Sequence, residues 1–286
     1  MATTIRNPIE WGFSQVQHVV TAVEVTGQAV RGHGDVRAAP AIRRIAIADL
    51  RDALARGVGD FGAARSDVIF LCLLYPIAGL VLGHAVFGSG MFPMLFPLVS
   101  GFALIAPFVA VGLYEMSRQR AKGENCDWKT AFDVLQSPSF GAILTLGIGL
   151  LAIFLLWLGA AQTIYDLTLG PREPSSVASF LRDVFATPQG RSMIVIGIGV
   201  GFFFALFVYA ISVVSFPLLL DRDVGLGVAM WTSVRAVIAN PAPMAVWALI
   251  IAAGLVLGSL PLLLGLIVIL PILGHASWHL YRKLVA

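Results

Sequence analysis

The chain has 286 residues, of which 58% are hydrophobic and only 12% charged, with a formal net charge of +3 and a mean hydropathy of +0.88. A water-soluble core of this length cannot bury so much apolar surface, so the composition excludes a soluble globular domain and points to an integral membrane protein. The 16 Arg and 3 Lys are scattered among apolar segments, so the basic balance reflects membrane topology, and no nucleic-acid partner is expected.

Residues 1–48 read as a cytoplasmic element ahead of the membrane domain, 49–286. Ile9, Phe13, Val16, Val20 and Val23 recur at spacings of four and three behind Pro8, which predicts an amphipathic helix. His18 falls near the edge of its apolar face and reads as a surface residue. Residues 31–41 are a Gly- and Pro-containing linker, in which His33 is expected to be solvated. No stretch of residues 1–65 is apolar for long enough to be a signal peptide, so the first spanning segment is expected to direct insertion.

Asp49 then looks like an N-cap, with Asp52 in the first turn of the helix that follows. Leu50, Ala53, Leu54, Gly57, Val58 and Phe61 fall on one face of that helix, with Arg51, Arg56 and Asp60 opposite. This suits a helix lying in the membrane interface or packed beneath a bundle.

By the criterion of about 20 consecutive apolar residues, six transmembrane helices are predicted near 67–87, 92–115, 140–165, 192–219, 242–258 and 260–280. The fold class is therefore all-α and polytopic. The last two segments share only the turn from Gly258 to Pro261, so they form a tight hairpin. Most Lys and Arg near the spans fall on the side of the N-terminus, and only Arg172, Arg182 and Arg191 fall opposite. That places both termini in the cytoplasm of a bacterial inner membrane.

Two stretches are written alike. Trp128 and Trp231 each stand ten residues before a Pro, with Val134-Leu135 and Val237-Ile238 at matching offsets. They read as one short amphipathic helix used twice, 103 residues apart, with Leu50 opening a degenerate third copy. The chain is thus expected to be three units, 49–116, 117–220 and 221–286, each an amphipathic cytoplasmic helix followed by a transmembrane hairpin. The second unit carries an external loop, 167–191, with its own short helix at Val177, Phe180, Leu181, Val184 and Phe185, which reads as a lid or docking element.

Few constellations carry chemistry. The pairs Gly79 and Gly83, Gly197 and Gly201, and Gly254 and Gly258 permit close helix approach, either between two copies or, more plainly, within the chain's own bundle. Glu115, Asp166 and the run Asp221-Arg222-Asp223 fall at helix ends, and no charge marks a midplane ion path. Asp221 to Asp223 read as ending the fourth span and capping the helix after it. His275 and His279 are four apart near the end of the last span, a spacing that can bind a metal ion or haem. The plainer reading is an interfacial belt of Trp278, Tyr281 and the two imidazoles among headgroups, anchored by Arg282 and Lys283. His84 also reads as interfacial. Cys72 and Cys126 are expected to be reduced. No nucleophile–base pair, phosphate loop or recognised metal motif appears, so no enzyme and no cofactor are expected.

The run Asp49 to Leu54, the segment Gly112-Leu113-Tyr114-Glu115-Met116-Ser117-Arg118, Phe216-Pro217 with Asp221-Arg222-Asp223, and the ending Gly274 to Tyr281 resemble bacterial predicted integral membrane proteins called domain of unknown function 2189, across roughly 42–283. The resemblance implies a multi-pass inner-membrane protein and supplies no activity. The expected role is a non-enzymatic accessory or scaffold subunit that contacts lipid and either a membrane-protein partner or a second copy. The alternatives are a passive permease, exporter or scramblase lined by Thr145, Ser212, Ser215 and Pro-freed carbonyls, and a haem or metal site at the His pair.

Overall fold

The computed structural model describes residues 39–73, 76–77, 79–81, 84, 92–124, 126–170 and 174–286. The expected helix at 9–23, His18, His33 and most of the linker lie outside the described residues. Among those described there is no strand. The single β-bridge pairs Ile42 with Val285.

Each helix starts and stops for local reasons. α1 (Ile47–Ala63) has Ala46 as its N-cap, and Asp49 sits three residues inside. The Asp49 carboxylate reaches back to accept from the Ala46 N–H at 2.8 Å. The expected N-cap is therefore displaced by one turn, with the same carboxylate serving the same orphan donor. α2 (Arg65–Cys72) follows, and the described residues among 76–84 are helical. A 3-10 turn (Phe92–Met94) leads into α3 (Leu95–Val109) and α4 (Val111–Ala121). Pro107 inside α3 removes one backbone donor just before that junction.

Trp128–Gln136 is a 3-10 helix, N-capped by Asp127. α5 (Phe140–Thr168) is a single long rod. α6 (Val177–Ala186) is the expected loop helix, capped by Ser176. Thr187 ends α6 and caps α7 (Pro188–Ser212), whose Pro stands where a missing N–H costs nothing. After a break at Val213-Val214 come α8 (Ser215–Asp221), α9 (Leu226–Ala239), α10 (Pro241–Ser259) and α11 (Leu266–Leu284).

Among the described residues, four helical stretches are long and apolar enough to cross a membrane: Phe92–Ala121, Phe140–Thr168, Pro188–Asp221 and Pro241–Ser259. At 1.5 Å per residue, α5 is about 44 Å long, well beyond a hydrocarbon core of about 30 Å. Such a rod can cross a bilayer tilted or project from it. The last segment differs from its expected bounds of 260–280. The turn with α10 occupies Leu260–Gly265, and α11 begins at Leu266. Its second half is buried by protein, since residues from Leu273 to Tyr281 pack on α1, α4 and α8.

The three stretches read as copies sit in three different environments. Leu50 is 1% exposed, Trp128 is half-buried in a 3-10 helix, and Trp231 is 58% exposed on an α-helix. α1 runs alongside α11, its most extensive partner.

Candidate functional site

The site forms where α1, α4 and α11 meet. Asp49 pairs with Lys283 at one point, and Gly57 abuts Ala276 further along, so α1 and α11 run antiparallel. A Cβ on Gly57 would stand 2.7 Å from the Ala276 Cβ and 2.8 Å from the Ile272 carbonyl. Glycine is what allows these two backbones to touch, and that contact brings the next turn of α1 against His275 and His279.

That turn carries Asp60. Its Oδ2 accepts from the Ser117 hydroxyl at 2.7 Å and meets His279 Nε2 at 2.8 Å. Its Oδ1 faces Arg120 Nε at 3.2 Å. The Ser117 Oγ also lies 2.7 Å from His275 Nδ1. Burial opposes ionisation of Asp60, but the bonds from His279 and Ser117 outweigh it and hold the carboxyl below its usual range. An ionised carboxylate only accepts, so Ser117 donates to Asp60 and must accept from His275 Nδ1–H. His275 Nε2 is then a bare lone pair, and no partner reaches it among the described residues.

Around this centre the other charges are also consumed. Glu115 is buried, and its carboxylate accepts from Arg118 Nε and Nη2, both at 2.7 Å, and from Gln119 at 2.8 Å. Asp221 accepts from the Tyr281 hydroxyl at 2.8 Å and from Arg282 at 3.1 Å. Lys283 lies 2.9 Å from both Asp49 and Asp52. The Asn240 side chain accepts from Ile45 N–H at 2.8 Å and donates to the Arg43 carbonyl at 3.1 Å, fastening the strap before α1 to the start of α10. The result is a polar layer in which side chains from distant parts of the chain bond one another, with His275 Nε2 and Trp278 Nε1 left without a partner among the described residues.

Several expectations need correction. His275, Trp278 and Tyr281 are each 1% exposed, so they form the interior of this layer and no headgroup belt. The Trp278 and Tyr281 rings pack against each other with centroids 5.4 Å apart. Arg282 is tied to Asp221, and Lys283 to Asp49 and Asp52. The two imidazoles do not converge on a common point. His275 addresses Ser117, His279 addresses Asp60, and no group of three metal-ligating side chains is found among the described residues. Asp60, placed by sequence on the outer face of its helix, is the centre of the site. Asp223 caps nothing, since the N-cap of α9 is Gly225.

The glycine pairs separate. Gly254 and Gly258 face Ile269, Leu273 and Leu266 of α11, Gly201 faces Trp157, and Gly79 faces Leu263, while Gly197 meets nothing. Gly83 lies outside the described residues. Four of these glycines therefore pack within the chain. His84 is exposed. Cys72 and Cys126 are free thiols. Thr145 and Ser212 each donate to a carbonyl of their own helix, and Ser215 donates across the break to the Ile211 carbonyl of α7, so the three hydroxyl protons are spent.

Ser117, His275 and Asp60 are residue types that could form a nucleophile, base and orienting acid, but the order is wrong for that work. The carboxylate bonds the serine directly, and the far nitrogen of the imidazole has no orienting partner. Both Ser117 and His275 are closed off from solvent. What this arrangement does chemically is lock three helices in register.

Residues 94–221 match the model of a family described as predicted integral membrane protein, domain of unknown function 2189. Over those residues the chain is similar to this family. No curated protein and no solved structure matches it. The DUF2189 match includes Glu115, Ser117 and Asp221. Asp60, the His275 and His279 pair and the ending Gly274 to Tyr281 lie outside the matched residues.

Proposed function

We propose that this DUF2189 chain is a non-enzymatic accessory or scaffold subunit of a bacterial inner membrane, with six spans in three hairpins and both termini in the cytoplasm. The observation that supports this reading most is how the polar side chains are used. At one end they are spent on each other, while the spans turn broad apolar faces outward, as with Val195, Ile198, Phe202 and Phe203 on α7. Just outside the polar layer, Trp231 and Ile238 stand exposed two turns apart on α9, a face suited to a partner. Ile42 lies beside Val285, which fits an even number of crossings between them. The spent hydroxyls of Thr145, Ser212 and Ser215 weaken the permease reading.

A photo-crosslinker at Trp231 in native membranes should capture a discrete partner or a second copy. A monodisperse monomer giving no adduct removes the accessory role. For topology, a membrane-impermeant maleimide should reach Cys126 in inverted vesicles and not from outside intact cells. Burial pushes this thiol's pKa up, so labelling is best done above neutral pH. Solute leak above empty liposomes after reconstitution would favour the permease instead.

A further inference from the structure

At the end of the bundle opposite the polar layer, α6 turns the corner between α5 and α7. Thr187 ends α6 and caps α7, so the chain changes direction over a single residue. Inside the corner Val184 is buried, and a Cβ on Gly190 would stand 2.5 Å from the Val184 Cα. α7 therefore starts in contact with the backbone of α6. Phe180 packs on the Tyr165 ring of α5, with centroids 6.4 Å apart, and α6 also touches the 3-10 turn Phe92–Met94. α6 thus lies across the end of the bundle.

Protein covers only one flank of its apolar surface. At about 100° per residue, Phe180 and Val184 mark the covered flank, and Val177, Leu181 and Phe185 form a ridge directly beside it. That ridge is exposed, Phe185 by 66%. Ser179, Arg182 and Asp183 take the remaining side. One apolar arc therefore has two sets of neighbours, the bundle and whatever surrounds the bundle at this level.

α7 shows what surrounds it. It belongs to the least buried of the four apolar stretches, and its outward side chains change character over one turn. Arg191 and Ser192 are exposed, and then Val195, Ile196 and Ile198 are exposed. Such a change on the outer surface of a span marks headgroups giving way to hydrocarbon. Thr187 stands one turn before Arg191, about 6 Å at the helical rise, so α6 lies at headgroup level beside a lipid-facing surface.

We propose that α6 is an in-plane membrane anchor, with Val177, Leu181 and Phe185 sunk into the boundary between headgroups and acyl chains and with Arg182 and Asp183 left in water. Lipid is the occupant already present at that level around α7, and no second association is needed to cover the ridge. Because Thr187 alone joins the two helices, the anchor fixes how deep α7 sits. This holds whichever side of the membrane the corner faces, and it is independent of the accessory role.

The test uses the full chain in bilayers of phosphatidylethanolamine and phosphatidylglycerol. Single nitroxide labels are placed at Leu181→Cys, Phe185→Cys and Arg182→Cys in a Cys72→Ala, Cys126→Ser background that keeps its thermal unfolding midpoint. Oxygen concentrates in hydrocarbon and a nickel chelate stays in water. The ratio of oxygen to chelate collisions should be higher at 181 and 185 than at 182 by about threefold. Equal chelate access at all three positions puts the ridge in water, and loss of both collision partners at 181 and 185 puts it under protein. Either result overturns the proposal. A benzoylphenylalanine in place of Phe185, in the chain with its native cysteines, gives an independent answer. Illumination should yield a phospholipid adduct by mass spectrometry, and an adduct to protein alone, or none, overturns the anchor.

Discussion

The two ends of this molecule are held together by different means. At the polar layer, directed bonds join residues far apart in sequence: Asp60 to Ser117 and His279, Tyr281 to Asp221, and Lys283 to Asp49 and Asp52. In the apolar half, helices meet through shape, as where Gly254 and Gly258 admit Leu273 and Leu266. Where water competes weakly, a buried hydrogen bond fixes register because leaving it unmade is costly. Where lipid is the solvent, apolar surface gains nothing by finding other apolar surface, and only close packing discriminates. The first end is therefore expected to be rigid and sensitive to mutation, and the second tolerant.

The largest break in this contrast should come from Asp60→Ala. It leaves Ser117, His279 and Arg120 without their common acceptor and should cost about 3 kcal/mol, read as a drop in the thermal unfolding midpoint in detergent. Gly57→Ala comes next. Its methyl group meets Ala276 and the Ile272 carbonyl, both backbone-fixed, and overpacking of this kind costs about 2 kcal/mol.

Acid should act through the same centre. Asp60 titrates lower in the folded chain than a free aspartate does, so the folded state binds fewer protons than the unfolded one. Its contribution is complete above about pH 4 and drains away as pH falls through the depressed value. Asp49, held down by the Ala46 amide and then by Lys283, and Asp52, held down by Lys283, push in the same direction, but from exposed positions. Asp60→Asn should flatten this part of the acid-unfolding curve. An acid limb that Asp60→Asn leaves unchanged would move the centre of the layer elsewhere.

In the apolar half, Trp157→Phe removes the donor to the Pro97 carbonyl at 2.9 Å and should cost about 1 kcal/mol. The smallest effect on stability belongs to Trp231→Ala, within about 0.5 kcal/mol because its ring is exposed. If α9 docks a partner, that substitution should abolish the crosslinked adduct while leaving the unfolding midpoint in place.

Four of the six expected spans, the second to the fifth, were legible because about 20 apolar residues in a row have few other uses. α6 was legible because Ser176 and Thr187 bracket its periodic residues. The site was legible only in fragments. Trp278, Tyr281 and the two histidines have apolar bodies and polar tips, which suits a headgroup belt and a satisfied interior equally well. The deciding partners lie 158 and 219 residues away in sequence, where no local pattern reaches. One signal was present: Asp60 follows Gly57 by three and Ala53 by seven, which puts it on the buried face of α1 with Leu50. A carboxylate on that face needs a partner, and His279 was a candidate. The similarity of the Trp128 and Trp231 stretches misled, since like letters in a 3-10 helix and an α-helix turn different residues inward.

The pairing of α1 with α11 also sets an order of events at the ribosome. Lys283 emerges 234 residues after Asp49, so the face of α1 that carries Leu50, Ala53 and Gly57 stays unmatched through nearly the whole of synthesis. An insertase, a chaperone or the bilayer surface must shelter it until the last segment arrives. Truncating α11 should therefore expose α1 to proteases while the earlier spans remain inserted.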